Sequence, residues 1–424
     1  MNHTTLLQNV RLFDPHSDLH NQRVEILIKD GKIEAMGEGL GMAATELVDG
    51  EDAYVSVGWL DAFGHCPDPG EPWKESLTSY AAAAQQGGYT QAVALCGTSP
   101  KSDNESVIAQ VKQVGTALRA ELLPWGLGSV QGDGKEMAEV YEMHLAGAVA
   151  FTDGIHGSPS LGLRSKLMQY CQSLGLTYAH FPFQKTLAPD GKMHEGMINA
   201  TLGFKGIPAV SETVELLGDI ELAKHLNCGL TILGVSAAES VEIIRQAKAD
   251  GVKIVASVPV MNLLYTDGAL SDFDENLKVL PPLRSEADRK ALLLGLLDGT
   301  LTAVISNHHP EDIESKKVEF DYAAWGAATL GSTFKMMCKA FENERPENWV
   351  PLLYGGSRSF LGMPSERIEV GASADLTLFY LDGSIALGDE KQQTRAYNVP
   401  RVDIPLKGSV FATIRKGCLM KNHG

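Results

Sequence analysis

The chain has 424 residues, of which 44% are hydrophobic and 21% charged, and carries a net charge of −17. That length is too great for one ordinary core but suits a barrel of about 250 residues with a smaller domain attached, and the composition is that of a soluble globular protein. The acidic balance, spread along the chain without an acidic tail, argues against nucleic acid or an anionic membrane as the main partner.

The cysteines are scattered at Cys66, Cys96, Cys171, Cys228, Cys338 and Cys418, with no CxxC pair, so neither a disulfide framework nor a zinc ribbon is expected. The start, "MNHTTLLQNVRLFDP", lacks a basic region followed by a long apolar stretch, and no signal peptide is expected. No run of about 18 apolar residues occurs, so no spanning helix is expected and the cytoplasm is the default location.

Residues 1–56 read as β. "TLLQNVRLFD" and "RVEILIKDGKIEAMGEG" alternate apolar and polar residues around a "DGK" hairpin turn, and "EDAYVSVG" adds a strand. The far end repeats this texture in "ASADLTLFYLDG" and "GSVFATIRKGCLMKN". Both ends are expected to pair into one small β-sandwich domain, residues 1–56 with 365–424.

Between them, short apolar runs alternate with helical stretches. The helices are "SLTSYAAAAQQGG", "NESVIAQVKQVGTAL", "KEMAEVYEMHLAG", "PSLGLRSKLMQYCQSLG", "SETVELLGDIELAKHLN", "ESVEIIRQAKADG" and "SEADRKALLLGLLDG". Strands "YTQAVALCGTSP", "AELLPWGLGSV", "AVAFTDG", "LTYAHFPF", "GLTILGVS", "VKIVASVP" and "TLTAVISNHHP" follow them in order. With the strand before "DAFGH" this makes about eight strand–helix units, the number for a closed α/β (β/α)₈ TIM-like barrel over 57–364. A doubly wound open sheet is the alternative, disfavoured because no GxGxxG follows an early strand.

Chemistry in such barrels sits at the C-terminal ends of the strands. Those ends carry His65, "CGTSP", Asp153, His180, Gly234–Ser236, Asn262 and Asn307–His308. Each polar residue alone reads as a loop residue or helix cap, but their recurrence at successive strand ends points to an ancestral polar site.

The ordered motifs "GWLDAFGHCPDPGEPWKESLTSYAAAAQQGGYTQAVALCGTSP", "GAVAFTDG", "AHFPF", "HEG", "GVSAAESVEII", "LLYTDGAL", "PPLRSEADRKALLLGLLDGTL" and "GASADLTLF" resemble the dihydroorotase family of the amidohydrolase superfamily over nearly the whole chain. The resemblance implies a zinc hydrolase of cyclic amides. Zinc takes about four N, O or S ligands, and a catalytic zinc leaves one position for water. The family's paired first-strand histidines correspond to Phe63 and His65, and a phenyl ring cannot coordinate. Its Asp and the following histidine correspond to Asp153 and His180, both kept. Its His-x-x-His-x-Ser falls on "TILGVS", which puts Thr231 and Gly234 at the ligand positions. Its last-strand Asp, which binds metal and accepts a proton from the attacking water, corresponds to Asn307. A neutral amide is no general base near neutral pH.

The resemblance also implies damage to substrate binding. The carboxylate-gripping Arg corresponds to Pro67, and three further contact positions to Gly97, Asn262 and Leu280. His65, Asp153, His180 and His308 are then either holders of a single weak zinc or hydrogen-bonded remnants in a plugged mouth, so the expected cofactor is none or one weakly bound zinc. A different metal site from His156, His194, His309 and Glu311 is a further alternative.

Non-catalytic homologues of this family assemble with the aspartate transcarbamoylase catalytic chain, and the "SxHH" strand end and "HEG…LGFKGIP" stretch look more like that subgroup. The resemblance therefore implies a structural partner in pyrimidine synthesis, with a homo-oligomeric state expected. Two enzyme readings stand beside it: a cyclic amidohydrolase with an atypical mononuclear site, and new chemistry built on His308, His309 and Glu311.

Overall fold

The computed structural model describes residues 4–40, 44–155, 159–382, 392–400 and 406–422. Eight parallel strand segments form the barrel wall. Trp59–Asp61 continues into His65–Cys66, followed by Tyr89–Cys96, Glu121–Leu127, Ala150–Thr152, Ala179–His180, Leu230–Ile232, Ile254–Pro259 and Ala303–Ile305. Each pairs with the next, the fourth and fifth through a bridge between Phe151 and Tyr178. A parallel bridge between Gly64 and His308 closes the ring, and His65 N–H donates to the His308 carbonyl at 2.7 Å.

Strand alternation sorts the wall into two cores. Leu60, Val93, Leu123, Trp125, Ala179, Ala303 and Ile305 fill the barrel interior. Trp59, Tyr89, Ala92, Ala94, Leu122 and Ile232 pack outward against the helices. The helices begin on caps that their sequences supply: Ser76 and Ser285 close capping boxes, and Asn104 and Ser160 accept from backbone N–H groups one turn on. Among the described residues, no helix is long and apolar enough to cross a membrane.

Both chain ends build the second domain. Thr4–Leu12 pairs antiparallel with Arg23–Lys29, which pairs with Lys32–Gly37; Leu376–Tyr380 joins Tyr54–Val57 to Ser409–Arg415. The first strand changes partner along its length, from Glu46–Asp49 to Tyr54–Val57, with a register break between Leu7 and Val10. Such breaks let one strand serve two layers. Leu7, Val10, Ile26 and Val55 share one core with Leu376, Leu378, Phe411 and Ile414.

Two local expectations need correction. The helix expected over "KEMAEVYEMHLAG" spans only Val140–Ala146. Residues before it are held extended, because Val130 N–H donates to the Glu136 carbonyl and Ala138 N–H to that of Gly128. The strand Glu46–Asp49 was not expected; its burial pattern shows only Val48 inside, so no alternation announced it.

One buried carboxyl braces the barrel seam. Ser306 N–H donates to Asp61 Oδ1 at 2.8 Å and its hydroxyl to Oδ2 at 2.5 Å, tying the last strand to the first. Burial pushes the Asp61 carboxyl up to about 7, against the pull of both Ser306 donors. The folded chain therefore holds a proton that the unfolded chain, titrating near 3.8, has released. The stability this group contributes is complete below the unfolded value and is lost as pH rises through about 7. Asp61→Asn removes that dependence. In urea unfolding, its stability relative to the wild type should improve by about 1 kcal/mol or more between about pH 5 and pH 8; an unchanged difference would contradict the burial account.

Candidate functional site

The centre of the barrel mouth is apolar. Phe63 is fully buried and packs edge-on against Trp125 at 5.6 Å and His65 at 5.0 Å between ring centroids. Phe181, Leu280, Ile155 and Ile207 belong to the same buried cluster. Gly234 lies beneath Phe181: a Cβ there would stand 3.3 Å from the Phe181 ring and 3.5 Å from Pro281 Cδ. Its φ of +75° is a backbone region that side chains rarely adopt. Asn307 also sits at positive φ, and its Nδ2 donates to the Leu280 carbonyl at 3.0 Å. Its amide is thus engaged with the backbone beside the plug.

A cleft of about 270 Å³ opens to one side of this plug. Pro67, Gly97, His65 and Asp153 line it, together with Lys74, Lys101, His309 and Glu311. The rings of His65 and His309 lie 4.5 Å apart at 37°, and His309 Nε2 is 3.6 Å from Glu311 Oε1. Lys74 Nζ bridges Glu311 at 2.9 Å and Glu71 at 3.2 Å. Burial lowers the Lys74 ammonium, but Glu311 and then Glu71 more than offset it and hold it above its ordinary value. Gly97 has φ +85°, and a Cβ there would meet the Pro100 carbonyl oxygen at 2.4 Å, so this turn admits no larger residue without moving.

The polar residues expected to share one site are distributed among separate networks. Asp153 Oδ1 accepts from Ser129 N–H at 2.8 Å and the Ser129 hydroxyl at 2.7 Å, and Tyr178 approaches Oδ2 at 3.4 Å. Burial raises its pKa, with Ser129, His180 and Tyr178 pulling the other way. His180 Nδ1 donates to Asp219 at 2.7 Å, and Arg164 ties Asp219 and Glu215 together at 2.6 Å each. Asn262 is buried and donates to the Pro282 carbonyl at 2.8 Å.

His308 is a correction. Expected at the mouth, it faces outward beneath the helix Leu77–Gln86, edge-on to Tyr80 at 5.2 Å. Strand alternation accounts for this: His308 is the register partner of Gly64, whereas His309 points into the cleft. His308 Nδ1 accepts from the backbone N–H of Thr329 and Leu330, and Nε2 stands 3.4 Å from Glu75, both side chains wholly buried. Burial alone would raise the Glu75 carboxyl; contact with His308 holds it below the ordinary range. Glu75 also receives the Thr394 hydroxyl and Arg395 N–H, which dock the C-terminal segment.

The other proposed grouping also separates. His194 contacts Arg284 at 3.2 Å in a buried network with Ser236 and Glu212, away from the His309–Glu311 pair. His156 lies outside the described residues. Among the described residues, no three His, Cys, Asp or Glu side chains converge so as to hold a metal ion. The side chains at the mouth therefore do not fit a zinc pair. Sequence reasoning missed Glu75, Asp219, Arg164, Ser129 and Phe181. Only Phe181 carried a signal, as the bulky neighbour of His180 in "AHFPF".

Residues 55–253 match the family model described as Dihydro-orotase-like. A protein named dihydroorotase from Pelotomaculum thermopropionicum is 34% identical over 397 residues, spanning 93% of each chain. The chain belongs to the dihydroorotase family. Another protein named dihydroorotase, from Syntrophotalea carbinolica, is 31% identical over 415 residues, 97% of each chain. Among solved structures, the L-hydantoinase of Arthrobacter aurescens superposes with a TM-score of 0.84 at 22% identity, over 100% of this chain and 97% of that one. A D-hydantoinase gives 0.81 at 17% identity, over 98% and 95%. These neighbours establish the barrel with its β domain as the fold shared with this member of the dihydroorotase family.

Gly234→His tests the plug directly. The left-handed backbone alone should cost about 1–3 kcal/mol, and the imidazole must displace Phe181. Urea unfolding should show a loss in that range or larger; a neutral or stabilising effect would mean that the position still accommodates a ligand.

Proposed function

We propose that this dihydroorotase-family chain is catalytically degenerate and serves as an assembly partner of the aspartate transcarbamoylase catalytic chain in pyrimidine biosynthesis. The observation that carries the first half is the apolar filling of the barrel mouth by Phe63, Phe181 and Leu280. Hydrolysis of a cyclic amide needs an ionised water and a base to receive its proton. Asn307 offers an amide already donating to Leu280, and Asp153, which lines the adjoining cleft, is committed to Ser129. His180 is oriented by Asp219, but no second imidazole faces it from Gly234. No step of the family reaction can be assigned to these groups.

The second half rests on the resemblance to non-catalytic homologues that assemble with that chain, and it implies a cytoplasmic location. The competing reading, an active cyclic amidohydrolase with one metal, draws its support from the names of the relatives and from His180, whose Nδ1 contact leaves Nε2 as the available nitrogen.

Two measurements check the two halves independently. Purified protein supplemented with zinc should hydrolyse dihydroorotate, or form it from carbamoyl aspartate, at no more than the background rate. Turnover at about 1 s⁻¹ or faster, within the ordinary enzyme range, would overturn the degenerate reading. Mixing the protein with the organism's aspartate transcarbamoylase catalytic chain should yield a species heavier than either component in sedimentation. Independent migration of the two would overturn the assembly role and leave the first half standing.

A further inference from the structure

The barrel helix Val210–Leu226 carries its charged and apolar faces the wrong way round. Glu212, Glu215 and Asp219 point inward and are buried. Arg284 holds Glu212 at 3.4 Å, and Arg164 holds Glu215 and Asp219 at 2.6 Å each. Val210, Val214 and Leu217 are instead 51%, 45% and 49% exposed. With 3.6 residues per turn, the three acids and the three aliphatic residues fall on opposite sides of the helix, and residues spaced i, i+4 and i+7 form one continuous stripe. The neighbouring helix Leu161–Ser173 widens that stripe. Leu161 is 52% exposed and lies against Gly218, where a Cβ would stand 3.2 Å from Leu161 Cδ2. Arg164, one turn after Leu161, locks the two helices together through the buried acids, so the apolar face is rigid.

We infer that this face is a self-association surface, on which Val210–Leu226 pairs antiparallel with the same helix of a second copy across a two-fold axis near Val214. A contiguous exposed apolar patch of this kind marks an interaction site. Charge selects the occupant. From Val210 to Ile220 the helix exposes no charged side chain, because its three acids in that span are buried. The next charge, Glu221, is paired with Lys224 at 3.0 Å, so the rim adds no unbalanced charge. A basic or acidic partner finds nothing to pair with here, and the matching surface is an equally uncharged apolar one. Every copy of the chain carries such a surface. Two copies, each with a net charge of −17, repel one another through their exposed carboxylates, and this face brings none to the contact. A two-fold axis makes one patch complementary to itself: the Val210 end of one copy meets the Leu217 and Leu161 end of the other. A standard interface takes about 800 Å² from each partner, and these four side chains form its apolar centre.

Sedimentation of the full-length protein by itself tests this, and the result is independent of the loss of catalysis and of the transcarbamoylase chain. At micromolar concentration the wild type should sediment as a dimer or a larger even-numbered assembly. Val214→Asp and Leu217→Asp each set two carboxylates against one another across the axis, and each should raise the dissociation constant of this contact by about 100-fold or more. Val370→Asp, the same change at another exposed valine, should leave it unaltered. Val214→Cys should give a disulfide-linked dimer on mild oxidation, above the level that the exposed Cys418 gives in the wild type, whereas Val370→Cys should not. If either aspartate variant fails to fold by circular dichroism, the Val214→Cys cross-link decides. A monomeric or odd-numbered wild type, an assembly that survives both aspartates unchanged, or no cross-linking of Val214→Cys above the wild type would each overturn the inference.

Discussion

Phe63 occupies the middle of the barrel mouth with no solvent exposure, and the surrounding arrangement follows from its volume. An aromatic ring brings a large apolar area and no lone pair, so it is stable there only among other apolar groups. Trp125 meets its edge, and Phe181, Leu280 and Ile155 complete the cluster. Phe181 in turn lies over Gly234, whose left-handed backbone disfavours a side chain and where a Cβ would press on the Phe181 ring at 3.3 Å. The three substitutions are thus mutually compatible: a small residue and a non-ionisable amide accompany the ring that would clash with a ligand or desolvate a charge.

Around this plug the remaining charged groups are used as structural ties. Arg164 joins Asp219 and Glu215, Arg284 joins Ser236 and Glu212, and Glu75 joins His308 to the C-terminal segment. Buried charges persist only when paired and hydrogen-bonded, and each of these networks links elements far apart in sequence. His180 and Asp153, which the family resemblance assigns to metal binding, are held within such ties by Asp219 and Ser129. The polar cleft beside the plug, with Lys74 between two glutamates and His309 against His65, has a charge pattern of its own.

The barrel was legible because strand–helix alternation is a repeated signal that outlasts local exceptions. The helix before Ala150 was misread in length because a backbone hairpin at Ser129–Met137 overrode a helical pattern. At the site, the identities of Phe63, Gly234 and Asn307 were readable as departures from motifs, since each stands at a fixed distance from retained residues. Which way His308 points was not readable: two adjacent histidines at a strand end differ by one residue of register, and only the pairing with Gly64 decides which faces out. The partners Glu75, Asp219 and Arg164 lie on helices or loops far along the chain, and no spacing rule connects them to the strands they brace.

The central claim is that the barrel mouth no longer holds the ions that would activate water. Zinc content after saturation with zinc and removal of the excess tests it most directly. The account predicts well under one tightly held zinc per chain, with none released by unfolding. Two zinc ions per chain, lost together on unfolding, would contradict it.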